Sequence, residues 1–373
     1  METIMSEFET RLIHAASSRS DNPTETLEQT LASLEGGAQA RAVTDGREAL
    51  ALAVLHVAEP GSHIVVAPSL FAGHREVFTE LLPRFGVEAD TVADPDDAES
   101  WRAELKPTTA ALLSESIADP RGDVLAFDEV AELARQHDAA FIVDNTLATP
   151  YLVRPIERGA DLVVHTSADL LSGRARTAAG IIIDAGTVEP ALREPLPRQL
   201  GPALPGVIAE EISAGLHTLA ARMTRQTAAA QQVAEFLHAH PGVHHAYYSG
   251  LVTSPCAERA DSYLPAGAGA VVSFEVSAGR DPVNQAVAAR ETVAALRLFR
   301  RSSGVGGPQA LAISPLATTH RDLSEEQRRA AGVRPALVRL WIGLEHPADL
   351  IADLDTALQR AAHSAETPAA ALA

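Results

Sequence analysis

The groups able to do chemistry in this chain gather at the ends of apolar runs. Asp144 closes the run Phe141-Ile142-Val143 and is followed by Asn145 and Thr146. His165 closes Leu162-Val163-Val164, with Thr166 and Asp169 just beyond it. Carboxylates and an imidazole so placed can move protons as general acids or bases. Two carboxylates in one pocket can also split their pKa values, leaving one protonated near neutrality. A second grouping, Asp45-Gly46-Arg47-Glu48, opens a helical stretch. Free amides and the positive end of the dipole there suit an anion, and a glycine allows close backbone approach. Phe71 and His74 follow a third run, His63–Pro68. The 30 Lys and Arg residues include one lysine, Lys106, in the polar turn Glu104-Leu105-Lys106-Pro107-Thr108, far from these run ends.

The elements that must position these residues follow from periodicity. Helical patterns are expected over 47–58, 71–85, 95–105 and 127–137. Apolar strands are expected at 63–68, 87–92, 110–116, 140–144, 161–165 and 180–183. Continuous apolar strands alternating with helices predict an α/β fold, with a mainly parallel sheet covered on both faces. In such sheets ligands bind at the carboxyl ends of the strands, where the candidates above lie. A long helix over about 206–240 precedes a smaller α+β region. Its strands are expected near 244–249, 270–276 and 336–344, and its helices at 282–298 and 347–362. The organisation expected is a short N-terminal arm (1–45), a large α/β domain (46–240) and a C-terminal α+β domain (241–373).

Composition narrows the function classes. Hydrophobic residues make up 46% and charged residues 21%, as in ordinary globular proteins. No apolar run approaches the roughly 18 residues of a membrane span. The formal net charge of −19 opposes binding to nucleic acid and anionic membranes. A lone cysteine, Cys256, rules out an internal disulfide and any multi-cysteine metal site. A cytoplasmic protein with no resident metal is expected.

Several longer segments carry a resemblance. They are Asn22-Pro23-Thr24, LEGGAQA at 34–40, VDNTLATPYLVRPIERGADLVVH at 143–165, AGIII at 179–183, Gly306-Gly307, Thr319-His320 and LVRLWIGLEHPADLIADL at 337–354. Together they resemble the Cys/Met-metabolism family of fold-type I pyridoxal-phosphate (PLP) enzymes, which includes cystathionine γ-synthase, cystathionine γ-lyase and methionine γ-lyase. The resemblance implies a seven-stranded sheet of the PLP-transferase type and an active site built across a homodimer interface, with a tetramer as the alternative assembly.

Residue by residue, the resemblance implies that Asp144 pairs with the pyridine nitrogen and that Arg339 holds a substrate carboxylate, a task suited to guanidinium. It makes Arg19 a phosphate ligand lent by the neighbouring subunit and Thr166 the stand-in for a phosphate-binding serine. Phe71 stands where a tyrosine stacks on the ring. The departures are Ser17 for a tyrosine, Ala168 for a second hydroxyl, Gly304 for a serine that Ser303 replaces, and Asp169 for the Schiff-base lysine. Asp45 and Glu48, spaced like a capping box, would oppose a phosphate, with Arg47 compensating in part.

Three readings are open. The first is a PLP-independent lyase or transferase acting on a small amino-acid-like carboxylate. It would use Asp169, Asp144 and His165 as acid–base groups and Arg339, Phe71, Gly46, Arg47, Thr166, Arg19 and Ser303 around the substrate. The second is a non-catalytic partner or regulatory homologue. The third is an enzyme using PLP or pyridoxamine phosphate non-covalently. All three carry the expectation that no cofactor is covalently bound. The structural alternatives are a loop cap for Asp144, a packing role for His165 and a local ion pair, with Glu345 or another acid, for Arg339.

Overall fold

A computed structural model describes residues 2–16, 20–175, 177–188 and 203–366. Its larger sheet has seven strands: β1 (Gln39–Val43), β2 (His63–Val66), β3 (Glu88–Thr91), β4 (Thr109–Glu115), β7 (Ala140–Asp144), β8 (Leu162–His165) and β9 (Gly180–Asp184). A two-residue hairpin, β5 (Ile117–Ala118) with β6 (Asp123–Val124), follows β4. The order across the sheet is β1-β9-β8-β7-β4-β2-β3. Pairings from β3 to β8 are parallel, and β9 is antiparallel to both β8 and β1.

Alternation along the strands divides the core in two. Ile64, Val66, Ala111, Leu113, Ile142, Leu162 and Val164 pack with α3 (Gly46–Val57) on one face. Val65, Leu112, Phe141, Val143 and Val163 face the other side. There they meet α1 (Glu2–Ala16), α2 (Pro23–Glu35) and α6 (Phe127–Gln136). Both faces are covered, which is why the strands read as unbroken apolar runs.

The N-terminal 45 residues are more than an arm. α2 lies against the sheet, and β1 is its edge strand. The helix expected over 71–85 is divided. α4 (Pro68–Gly73) ends at His74, and a π turn at Val77–Leu81 runs into a 3-10 turn at Leu82–Phe85. Pro83 in that last turn has no N–H to continue a regular helix. Beyond α5 (Ala98–Ala103) and the short α7 (Thr149–Leu152) and α8 (Asp169–Ser172), the helix expected over 206–240 is two. α9 (Gly206–Leu216) and α10 (Leu219–Ala239) meet at His217-Thr218. At this break the Gly215 carbonyl accepts from the Thr218 hydroxyl (3.1 Å) and from Arg222 (3.0 Å).

The second sheet begins at Val243. It comprises β10 (Val243–Tyr247), β11 (Val271–Val276), β12 (Arg300–Arg301), β13 (Leu311–Ile313) and β14 (Leu337–Trp341), in the order β10-β11-β14-β13-β12. The overall form is the mixed α/β architecture with a smaller C-terminal unit that the sequence predicts. Among the described residues no helix is long and apolar enough to cross a membrane.

Candidate active site

The carboxyl ends of β4, β7 and β8 converge on Asp144. It is 4% exposed and sits on the α3 face, in phase with Ile142. Its Oδ1 accepts from the Thr146 backbone N–H (2.9 Å) and from the Thr146 hydroxyl. Its Oδ2 accepts from the Thr166 hydroxyl (2.8 Å). The Thr166 N–H closes the ring of bonds by donating to the Thr146 hydroxyl (2.8 Å). The carboxylate is thus fixed between two strand ends.

Glu115 is the register partner of Asp144 on β4. Burial, reinforced by the charge of Asp144, pushes its carboxyl well above the ordinary value near 4.5. Among the described residues its Oε2 has no hydrogen-bond partner. His74, from the turn after α4, lies close enough to feel the Asp144 charge, but burial dominates and lowers its pKa, with Asp144 opposing. Glu115, whose carboxyl burial pushes up, and His74, whose imidazole burial pushes down, therefore flank Asp144. The Glu115 proton has a consequence for stability. The folded protein keeps a proton that the unfolded chain releases near 4.5, so this residue lowers stability progressively as pH rises above that value. Glu115→Gln should accordingly raise Tm at pH 8 and leave it unchanged at pH 4. Parallel melting profiles of the two proteins across that range would contradict this assignment.

Gly46 opens α3 directly against the loop leaving β8. A Cβ at this position would lie 1.8 Å from the Thr166 carbonyl oxygen, so only glycine fits. Asp45 caps the helix, accepting from the Arg47 N–H at 2.8 Å. Glu48 does not return to the Asp45 amide. It accepts instead from the Thr44 hydroxyl (3.1 Å), so the expected capping box is half formed. The Arg47 guanidinium is exposed and pairs with Glu76 at 2.9 Å.

Asp169 is the first residue of α8, and its Oδ1 accepts from the Thr177 N–H at 2.7 Å. Gly306, in the loop before β13, presses on it. A Cβ there would lie 2.9 Å from Asp169 Cβ, and Gly306 has a φ of 93°. The preceding residues of the same loop hold Arg339, which is 1% exposed on β14. Its guanidinium donates to the Ser303 (2.8 Å) and Gly304 (3.1 Å) carbonyls. Its Nε lies 3.3 Å from Asp119 Oδ1, just beyond β5. Arg339 and Asp169 therefore bear on one loop, 303–306.

Three placements differ from expectation. His165 does not join Asp144. One residue out of phase with Thr166, it faces α2, where its Nε2 lies 2.8 Å from Glu35. Ser303 contributes its carbonyl to Arg339, and its side chain is exposed. Glu345 accepts from the Ala310 N–H, and the acid facing Arg339 is Asp119. Arg19 and Ser17 lie outside the described residues, as does the side chain of Phe71, whose backbone belongs to α4. Glu115 and Asp119 were not singled out from the sequence. Their place at and just after the end of an apolar strand is the signal that would have found them.

A seven-stranded, mainly parallel sheet with an aspartate-centred hydrogen-bond network at its strand ends and a buried arginine from a smaller C-terminal unit defines the PLP-transferase architecture. The family model described as "Cys/Met metabolism PLP-dependent enzyme" matches residues 2–359, and the chain belongs to that family. It is 35% identical over 374 residues to O-acetyl-L-homoserine sulfhydrylase of Corynebacterium glutamicum, covering 91% of this chain and 84% of the relative. It is 35% identical over 347 residues to L-methionine gamma-lyase of Pseudomonas putida (92% and 85%). It also resembles a solved structure, a putative O-acetylhomoserine (thiol)-lyase from Campylobacter jejuni, with a TM-score of 0.83 and 28% identity over 90% of this chain and 86% of that one.

These findings correct one expectation. The aspartate at 169 led to a protein with no covalently bound cofactor, independent of PLP. The family is PLP-dependent, and the Campylobacter structure carries N'-pyridoxyl-lysine-5'-monophosphate, so PLP is the cofactor to assign. The residues present fit its ring. Asp144 is a buried carboxylate already oriented by Thr146 and Thr166, and Gly46 leaves the start of α3 bare of side chain beside them. Lys106, the one lysine, lies elsewhere. It precedes β4, at the opposite end of that strand from Glu115, and its Nζ is 2.6 Å from Asp90.

Proposed function

We propose that the protein is a PLP-using enzyme of amino-acid metabolism, of lyase or transferase type, acting on a small amino-acid-like substrate that bears a carboxylate. The observation that carries this reading is the Asp144 network, a buried carboxylate held by three donors at the end of a parallel strand. When bound, PLP supplies an electron sink for carbanion chemistry at the substrate. Asp144 would accept a hydrogen bond from the protonated ring nitrogen and keep that proton in place, while Thr146 and Thr166 prevent the carboxylate from turning away. Arg339 binds the substrate carboxylate, and the 303–306 loop orients it. Asp169, fixed on the other side of that loop, is the nearest candidate for moving a proton on the substrate. A homodimer in the cytoplasm is the setting this reading assumes.

The test is a spectrophotometric titration with PLP, followed by assays with O-acetyl-L-homoserine, cystathionine and methionine. Saturable absorbance change with turnover of one of them is the expected result. A protein whose spectrum ignores PLP would overturn the assignment.

A second reading, a non-catalytic partner subunit, is favoured by a specific observation. Arg339 already faces Asp119 and two backbone carbonyls, and Asp169 already holds the Thr177 amide. PLP binding without turnover of any of these substrates would support that second reading.

A further inference from the structure

On the opposite face of the sheet, directly behind the Asp144 network, three polar side chains are completely buried: Glu35, Asn145 and His165, each 0% exposed. Glu35 is the last residue of α2. The two glycines that follow bring this helix end down onto the sheet. Gly36 has a φ of 81°, and a Cβ on Gly37 would lie 2.3 Å from Ile183 Cγ2. One oxygen, Glu35 Oε1, accepts from Asn145 Nδ2 at 2.9 Å and lies 2.8 Å from His165 Nε2. Asn145 Nδ2 also donates to the Val153 carbonyl (3.0 Å), and the Asn145 backbone N–H donates to Val164 (2.8 Å).

Each partner of Glu35 adjoins a residue of the site. Asn145 follows Asp144, and His165 precedes Thr166. A single oxygen therefore spans the ends of β7 and β8 at the level where Asp144 and Thr166 bond each other on the far side (2.8 Å). Burying three polar groups is no gain for stability by itself, since apolar side chains of the same shape would pack at least as well. What polar groups offer and apolar ones do not is a fixed direction.

We propose that Glu35 is a positioning residue. By tying Asn145 to His165 it fixes the ends of β7 and β8 against each other, and so sets the Asp144–Thr166 contact that holds the cofactor ring. The last clause rests on the proposed function; the clamp itself belongs to the cofactor-free protein as well.

Two measurements on the full chain separate these parts: amide exchange without cofactor, and PLP titration. Glu35→Gln keeps the accepting Oε1, whereas Glu35→Met keeps only the length. In Glu35→Met, exchange over residues 144–147 and 164–167 should accelerate about tenfold or more, with β14 unchanged, and PLP affinity should fall about tenfold. Glu35→Gln should stay within about threefold of the parent in both. A Met variant that exchanges like the parent, or a Gln variant as loose as the Met variant, would overturn the proposal. If the Met variant does not fold, His165→Leu takes its place: acceleration confined to 164–167 supports the clamp, and parental exchange there rejects it. A parent protein that ignores PLP would instead strike the reading of Asp144, and the exchange data would still decide the clamp.

Discussion

Asp144→Ala should lower PLP affinity at least a hundredfold and the melting temperature with it. The affinity loss follows, on the proposed function, from removing the buried carboxylate that would meet the cofactor ring. The stability loss has a separate origin. Three donors, the Thr146 N–H, the Thr146 hydroxyl and the Thr166 hydroxyl, lose their acceptor. Each unsatisfied buried donor costs about 1–3 kcal/mol. Asp144→Asn separates the two effects. Its amide oxygen still accepts, so the melting temperature should stay near that of the parent, while the loss of charge still weakens PLP binding. Titration and melting of the three proteins side by side provide the check. Parental PLP affinity in Asp144→Ala would remove this residue from the cofactor site.

Arg339→Leu is the second large effect. It strips the Ser303 and Gly304 carbonyls of their donor and leaves Asp119, 27% exposed, without the cation it faces. Breaking a buried pair from one side costs about 3–5 kcal/mol, and the partial exposure of Asp119 puts this case at the lower end. Turnover of a carboxylate-bearing substrate should fall by two or more orders of magnitude in kcat/KM. The double variant Arg339→Leu/Asp119→Asn should regain much of the stability, because the stranded charge is gone, yet none of the turnover. If the single variant turns over such a substrate normally, Arg339 is a structural cation only.

Much of this site was legible in the sequence. Asp144, Thr166 and Gly46 were found because parallel strands end where ligands bind and because glycine at a helix start signals close approach. Of the two roles open to His165, acid–base and packing, strand parity contained the choice. Asp144 is in phase with Ile142 and Thr166 with Val164, so His165 had to face the other way. The broken helices were less visible. The break at His217-Thr218 depends on Arg222, which lies beyond it and takes the Gly215 carbonyl, while also reaching Leu170 and Leu171 on α8. No local pattern announces such a contact. The pairing of Arg339 with Asp119 was equally hidden, since the two are 220 residues apart and meet only when the second sheet docks on the first. The cofactor expectation failed for a different reason: it rested on Asp169 and the departures grouped with it, Ser17, Ala168, Gly304 and the acidic start of α3, against a match along the whole chain.

The two-faced alternation at the end of β8 also limits how this gene can change. Deleting one residue within Leu162–Val164 would move Thr166 to the place where His165 meets Glu35 and put Ser167 where Thr166 meets Asp144, losing the imidazole behind the sheet. The same deletion in the turn before the strand, Arg158-Gly159, would be absorbed by the loop and leave both faces as they are. Length variation among natural variants of this protein should therefore be confined to the turns, and an indel scan across residues 154–166 would trace the boundary residue by residue.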